Sequence, residues 1–382
     1  MEVDILNIPK LRFKDNNGND YPQWEKKKLG DIVQFLDNKR KPLEQSERIH
    51  GKYPYYGASG IIDYINNYIF DEELVLLSED GANIIDRNYP ICYIATGKYW
   101  VNNHAHVLKT KSQYLNKFLC EALERLNYNK YNTGTAQPKL NQDICKNILL
   151  NIPILHEQEK IANFFSTIDK KIKNLANTIT SLENQKKGLL QQIFSQKLRF
   201  KDKNGNNYPN WKKKKLGDLF TIKAGVDINK ENFSEQYSIE FKYPVYANAL
   251  TNNGLYGYSN IYKIDKPSIT VTGRGINVGF ALSREPFYYP IVRLLVLIPN
   301  ININFTFFTE SINFIHIFNE STGVPQLTAP QLSKVNVYVP NIEEQNKIGN
   351  LFDKLNEKID NKKAQLEHWQ QIKKGLLQQM FV

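Results

Sequence analysis

The side chains of this sequence best suited to chemistry are cations and hydrogen-bonding groups, and they lack the partners that bond-making requires. Arg274 sits in a Thr-Gly-Arg-Gly run, where the glycines let the backbone approach a groove and leave a planar guanidinium free for a bidentate contact. His104 and His106 fall on one face of a strand, as metal ligands can, but no third ligand stands at a matching spacing and no metal site is expected. The run GRGINVG at Gly273–Gly279 has the outline of a dinucleotide loop, but its third glycine is one position late, so it reads as a turn. A GxxxxGK[ST] phosphate loop is absent, and so is any Pro-Pro dipeptide of the N/D-P-P type with which an adenine methyltransferase grips a flipped base. The expectation is recognition without catalysis.

The 382 residues carry 50 Lys and Arg against 39 Asp and Glu, a formal charge of +11, with 41% apolar and 12% aromatic residues. That is a folded chain suited to a polyanion, with nucleic acid ahead of a membrane surface because no basic amphipathic helix stands out. The start, MEVDILNIPK, has acids where a signal peptide needs a basic run, and the longest apolar stretch, Ile291 to Pro299, is interrupted by Arg293. A cytoplasmic location is expected. Cys92, Cys120 and Cys145 are far apart and odd in number, and they read as reduced, buried small apolar residues.

A repeat organises the chain. Lys10–Asp31 (KLRFKDNNGNDYPQWEKKKLGD) recurs as Lys197–Asp218 (KLRFKDKNGNNYPNWKKKKLGD), identical at 18 of 22 positions and offset by 187. The same offset aligns EQEKI (Glu157–Ile161) with EQNKI (Glu344–Ile348), and GLLQQIF (Gly188–Phe194) with GLLQQMF (Gly375–Phe381). Between these blocks only fragments survive, such as YPYYGASG against YPVYANAL and NTGTAQ against ESTGVPQ. Drift alone would blur both parts alike, so each half has a constant part and a variable part.

The constant parts contain long helices. Apolar residues fall at Ile161, Ile168, Leu175, Leu182 and Leu189, alternating with Phe165, Ile172, Ile179 and Ile193, and only Lys186 interrupts them. The second block repeats the register with Ile348, Leu355, Trp369 and Leu376 beside Phe352, Ile359, Leu366 and Met380, interrupted by Lys362 and Lys373. Each stripe of roughly 33 residues implies a helix about 50 Å long, too narrow-striped for a globular core. The two stripes are expected to bury each other as an antiparallel coiled coil, placing the variable domains at opposite ends, with the seam lysines snorkelling to the edge. Because Pro9–Phe13 is the counterpart of residues that follow the first helix, the N-terminal segment is expected beside the end of the second.

The variable parts are rich in Tyr, Ile, Asn and Gly, with β-prone runs at Leu74–Ser78, Ile91–Ala95, Ser268–Thr272 and Ile291–Ile298, and a helical period over Leu115–Leu126. The stretches YPYYGASGIIDYINNYIFDEELVLLSEDGANI, GKYWVNNHAHVLK, TGTAQPKLNQ, ITVTGRGINVGFAL and IVRLLVLIP, with the EQxKI opening and GLLQQ-F close of each long helix, resemble the specificity subunits of type I restriction-modification systems over nearly the whole chain. The fold class expected is α+β: two pseudo-symmetric mixed, strand-rich target-recognition domains separated by two long antiparallel coiled-coil helices. The domains run 1–20 (N-terminal part of the constant repeat), 21–154 (first recognition domain), 155–207 (central helical spacer), 208–341 (second recognition domain) and 342–382 (C-terminal helical spacer).

The resemblance implies that each domain reads one half of a split target in double-stranded DNA, that the helices set the gap, and that two methyltransferase subunits and further restriction/translocase subunits are the partners. S-adenosylmethionine and ATP would belong to those partners, and no cofactor is expected here. A stand-alone bipartite DNA-binding regulator and a coiled-coil protein scaffold remain open. Base reading needs paired donors and acceptors on loops or exposed strands of the variable parts. The candidates are Lys39, Arg40, Lys41, Tyr55, Tyr56, Asn83, Arg87, Lys98, Tyr99, Asn102, Asn103, His104 and His106 in the first domain. In the second they are Asn248, Asn252, Asn253, Tyr256, Arg274, Asn277 and Arg284. The repeated lysine runs 26–28 and 212–215 cannot encode a difference between half-sites and are read as solvated or phosphate-facing.

Overall fold

A computed structural model describes residues 8–110, 113–134, 136–275, 277–315, 317 and 325–382. The chain divides into two compact units, residues 1–176 with 364–382, and residues 177–363.

In the first unit β1 (Glu25–Lys28) leads through a single turn, α1 (Leu29–Ile32), into β2 (Val33–Phe35). There follow β3 (His50–Gly57), β4 (Gly60–Ile65), β5 (Phe70–Asp71), β6 (Leu74–Ser78), the turn α2 (Asn83–Asp86), β7 (Cys92–Ala95), β8 (Lys98–Val101) and β9 (Ala105–Thr110). Helices α3 (Gln113–Arg125) and α4 (Gln142–Lys146), strand β10 (Leu149–Ile152) and, as far as residue 176, the long α5 (Leu155–Phe194) complete the series. The strands form an antiparallel sheet in the order β2-β9-β6-β7, a mixed sheet β4-β3-β8-β5, and a β1-β10 ladder. Strand β6, LVLLS, is buried along its whole length and therefore lacks polar alternation. Val75 and Leu77 face α3, whereas Leu74 and Leu76 face the space between the two sheets.

The second unit repeats this plan. Its strands are β11 (Lys212–Lys215), β12 (Phe220–Ala224), β13 (Phe233–Ser234), β14 (Tyr243–Tyr246), β15 (Leu255–Ser259), β16 (Ser268–Thr272), β17 (Ala281–Arg284), β18 (Tyr289–Pro290), β19 (Leu294–Pro299) and β20 (Asn336–Val339). Its helices are the turn α6 (Leu216–Leu219), α7 (Phe305–Ile315), α8 (Ala329–Ser333), the part of α5 from residue 177 and, as far as residue 363, the long α9 (Ile342–Met380). The sheet order β12-β19-β16-β17 reproduces β2-β9-β6-β7, and β15-β14-β18 reproduces β4-β3-β8. The variable parts thus share a topology that their residues no longer display.

The expected strands at 74–78 and 268–272 form as read. The run expected from Ile291 starts at Leu294, because Arg293 adopts a left-handed φ of 71° that turns the chain. Helix α9 is capped by Asn341, whose Oδ1 accepts the Glu344 amide at 3.0 Å.

Within each unit the long helices pair antiparallel. In the first, Phe165 meets Phe381 at 6.0 Å between ring centroids, and Asp169 meets Lys373 at 2.8 Å. In the second, Phe194 lies 6.5 Å from Phe352, and Glu183 pairs with Lys363 at 2.7 Å. Two of the seam lysines do not snorkel to water as expected: Lys373 pairs with the buried Glu121 and Lys186 with the buried Glu310, because a carboxylate from the recognition domain sits over those two gaps in the stripe. The Leu11 amide donates to the Gln379 carbonyl at 3.0 Å, and its counterpart Leu198 donates to Gln192 at 3.0 Å. The N-terminal segment therefore follows the end of α9 just as the continuous chain follows the end of α5.

Candidate nucleic-acid interface

The repeated residues build one clip in each unit. Glu157, fully buried, accepts the Arg12 guanidinium through both oxygens at 2.7 Å and the Trp24 indole at 3.1 Å. Glu344 accepts Arg199 at 3.1 and 2.7 Å and Trp211 at 3.1 Å. The hydrogen bond and charge of Glu157 hold the Arg12 pKa above its ordinary value. Phe118 packs on Trp24 and Phe381, and Phe307 packs on Trp211 and Phe194, so the closing phenylalanine of each GLLQQ-F run locks the helix of one recognition domain. The constant motifs are therefore a rigid mount.

On this mount the loop after each central strand is held by the same backbone contacts. The Gly81 amide donates to Pro138 and the Gly275 amide to Pro325, both at 3.0 Å. Leu140 returns a bond to Glu79 at 2.7 Å, and Leu327 returns one to Gly273 at 2.8 Å. This equivalence puts Asp80 in the first unit where Arg274 stands in the second, opposite Lys139 and Gln326 respectively. One clasp thus presents an acid in one domain and a guanidinium in the other. Sequence reading found Arg274 but missed Asp80, Lys139 and Gln326. The signal available was the pair of surviving TG fragments, NTGTAQ and ESTGVPQ, which lead into the partner loop; Thr135 and residues 320–324 of those fragments lie outside the described residues.

In the first unit Lys39, Lys41 and Asn103 present exposed side chains, and the Lys41 amide is tied to Val101. His104 is about half exposed and bonds Asp80 at 2.8 Å. Lys98 is exposed over the Tyr68 ring, and Tyr56 is half-buried and stacked on Tyr93. Six candidates are corrected because the protein itself uses them. Tyr55 and Tyr99 are core residues, and the Tyr55 hydroxyl accepts the Leu43 amide. Arg40 pairs with Glu79 at 2.6 Å and donates to the Ala105 carbonyl. Asn83 staples its own loop through Tyr89. Arg87 closes the end of α3 by bonding Glu124 and the Leu126 carbonyl. Buried Asn102 accepts the His104 amide.

His106 is corrected too: it lies on the buried face, with Nδ1 2.6 Å from Asp37 and Nε2 2.7 Å from the Leu140 carbonyl. Burial alone would strip its proton, but the Asp37 hydrogen bond, then Cys145 and the charge of Asp37, prevail and raise its pKa to about 10. Burial likewise pushes Asp37 upward, and His106 reverses this to leave it below the ordinary carboxylate value. Asp37, Glu79 and His106 bring ligand atoms within 4.8 Å of one another, but Arg40 already supplies the positive charge there.

In the second unit Asn252, Asn253, Tyr256 and Asn277 are exposed, with left-handed φ of 49° and 51° at the two asparagines. Arg274 is half-buried, and no hydrogen bond or ion pair holds its guanidinium among the described residues. Two candidates are corrected. Asn248 accepts the Gly273 and Arg274 amides and donates to the Arg274 carbonyl, so it shapes the loop. Arg284 is buried against the Tyr246 ring at 3.8 Å and donates to Thr270 and Asn253. The lysines of β1 and β11 are exposed along their whole strands. All three cysteines are buried, and no helix among the described residues is long and apolar enough to cross a membrane.

Two units of one architecture, each carrying a diverged loop on a shared clasp above an antiparallel helix pair, define a two-domain DNA-specificity protein. The chain belongs to the type I restriction modification DNA specificity family, whose domain matches residues 21–184 and again 208–369. It is 26% identical over 334 residues to a Mycoplasma pneumoniae protein named as a type I specificity subunit, covering 86% of this chain and 88% of that one. It is 23% identical over 411 residues to the MjaVIII specificity subunit of a Methanocaldococcus jannaschii type I restriction enzyme, covering 96% and 94%. The S subunit of a type I restriction-modification system from M. genitalium has the same fold, with a TM-score of 0.71 over 98% of this chain and 99% of that one at 19% identity. The protein is a recognition component, and catalysis belongs to other chains of such systems.

Proposed function

We propose that each recognition domain reads one half of a split sequence in double-stranded DNA, that the paired helices fix the gap between the halves, and that they dock two methyltransferase subunits, to which restriction/translocase subunits add. S-adenosylmethionine and ATP are then handled by those partners. The observation that carries this reading is the shared clasp that holds Asp80, bonded by the half-exposed His104, in one domain and the unheld guanidinium of Arg274 in the other. An acid accepts from cytosine N4 and a guanidinium donates to guanine O6 and N7, so one backbone yields two specificities. The exposed groups of the two units, Lys39, Lys41 and Asn103 in one and Asn252, Asn253, Tyr256 and Asn277 in the other, supply phosphate and further base contacts. A stand-alone regulator would bind its site unaided; a specificity subunit directs methylation only in company. The test is reconstitution with the methyltransferase of its own system, followed by adenine-methylation sequencing. A two-part motif that appears only when both chains are present supports the reading, and methylation without a two-part motif contradicts it.

A further inference from the structure

The recognition-domain helices α3 and α7 occupy equivalent places, since Phe118 and Phe307 meet equivalent tryptophans and phenylalanines. Each presents a buried glutamate, Glu121 or Glu310, to a seam lysine, Lys373 at 2.9 Å or Lys186 at 2.6 Å. Around this common pair the two units differ. In the first, Lys117 bonds both Glu121 and Asp169, and Asp169 also takes Lys373 at 2.8 Å. In the second, the position of Lys117 is Thr306, whose hydroxyl donates to Asp353 at 2.6 Å, and the position of Asp169 is Asn356, which donates to Glu310 at 3.2 Å. Among the groups shielded from solvent the first cluster sets two cations against two anions and the second one against one, with Asp353 lying exposed beside Thr306. Burial lowers the Lys117 pKa, but Glu121 and Asp169 outweigh it and hold it above its ordinary value, so Lys117 keeps its charge.

We propose that this cluster is a charge key that assigns each recognition domain to its own position on the helical mount. Placing the first domain, with Lys117 and Glu121, on the helices that carry Lys186 and Asn356 sets two cations against one buried acid and leaves Lys117 only the exposed Asp353, which Thr306 bonds in the native pairing. Placing the second, with Thr306 and Glu310, on those carrying Lys373 and Asp169 leaves one uncompensated negative charge. An unpaired buried charge costs far more than a missing neutral contact. Lys117 and Asp169 are thus positioning residues, matched across the boundary between variable and constant parts.

The test is a cycle in the full chain that converts the first key to the second. Lys117→Thr alone and Asp169→Asn alone each leave one charge unbalanced and are expected to lower the melting midpoint by roughly 3–6 °C. The double variant is expected to recover most of that loss. A double variant that loses as much as the two singles combined, or singles that melt with the wild type, overturns the proposal. A second arm exchanges residues 21–154 with 208–341, with and without Asp169→Asn and Asn356→Asp, and rests on the modular reading of function. The matched exchange is expected to melt higher than the unmatched one, and equal midpoints count against the key. Methylation sequencing of the matched exchange reports the modular reading separately, through reversal of the two half-sites.

Discussion

Arg274→Ala separates reading from folding. The loop that carries it is fixed by backbone bonds, from Gly273 to Arg293 at 2.9 Å and from Gly275 to Pro325 at 3.0 Å, and by Asn248, which accepts the Arg274 amide at 3.1 Å. None of these uses the guanidinium, so the substitution is expected to leave the melting midpoint within about 1 °C, as for a surface change. A bidentate contact to a base is worth about 1–3 kcal/mol, which is a loss of roughly 5- to 150-fold in affinity. The assay is fluorescence anisotropy of the assembled methyltransferase complex on its target duplex and on a duplex with the half-site of the second domain scrambled. The variant should lose affinity for the intact target and little more for the scrambled one. Arg274→Lys distinguishes a phosphate contact, which an ammonium can replace, from guanine reading, which it replaces poorly. Affinity within twofold of wild type on the intact target would refute the assignment, and a fall in the melting midpoint would refute the claim that the loop holds itself.

Glu157→Ala removes the buried acceptor of both Arg12 and Trp24 and should cost about 3–5 kcal/mol, lowering the melting midpoint of the first unit by about 6–20 °C in calorimetry. The folded pKa of His106, about 10, is raised above the ordinary value of 6.5, so its stabilisation is complete below about pH 6.5 and is lost as the pH rises toward 10. That of Asp37 is lowered, so its contribution is present above about pH 4 and is lost on acidification. Melting curves of wild type and His106→Gln should therefore converge toward pH 10 and differ most near pH 5–6. A heptad inserted into both long helices adds about 10 Å, which should widen the gap in the methylated motif by about three base pairs, or abolish methylation, with both half-sites unaltered.

The duplication, the long helices and the central strands were legible because they rest on local periodicity and on identity between the two halves. The reading side chains were less so. Tyr55 and Tyr56, or His104 and His106, are near neighbours in sequence, yet one of each pair is buried, and which one depends on partners far along the chain: His106 meets Asp37 across 69 residues. Arg40 and Arg284 look like free cations until Glu79, the Tyr246 ring and the Asn253 carbonyl are brought to them. The Lys117–Glu121 spacing of four residues is that of an ordinary solvated helix pair. Only the packing of α3 against α5 and α9 turns it inward, where it meets the lysine that breaks the apolar stripe. Asp80 went unnoticed because its kinship with Arg274 is a kinship of backbone contacts, which no residue identity records.

The most direct test is to replace residues 21–154 with the corresponding domain of another family member and sequence adenine methylation in cells that carry the methyltransferase subunits. One half of the recognised motif should change, while the other half and the number of bases between them stay as they were. A change in both halves, or in the gap, would show that the two domains do not read independently.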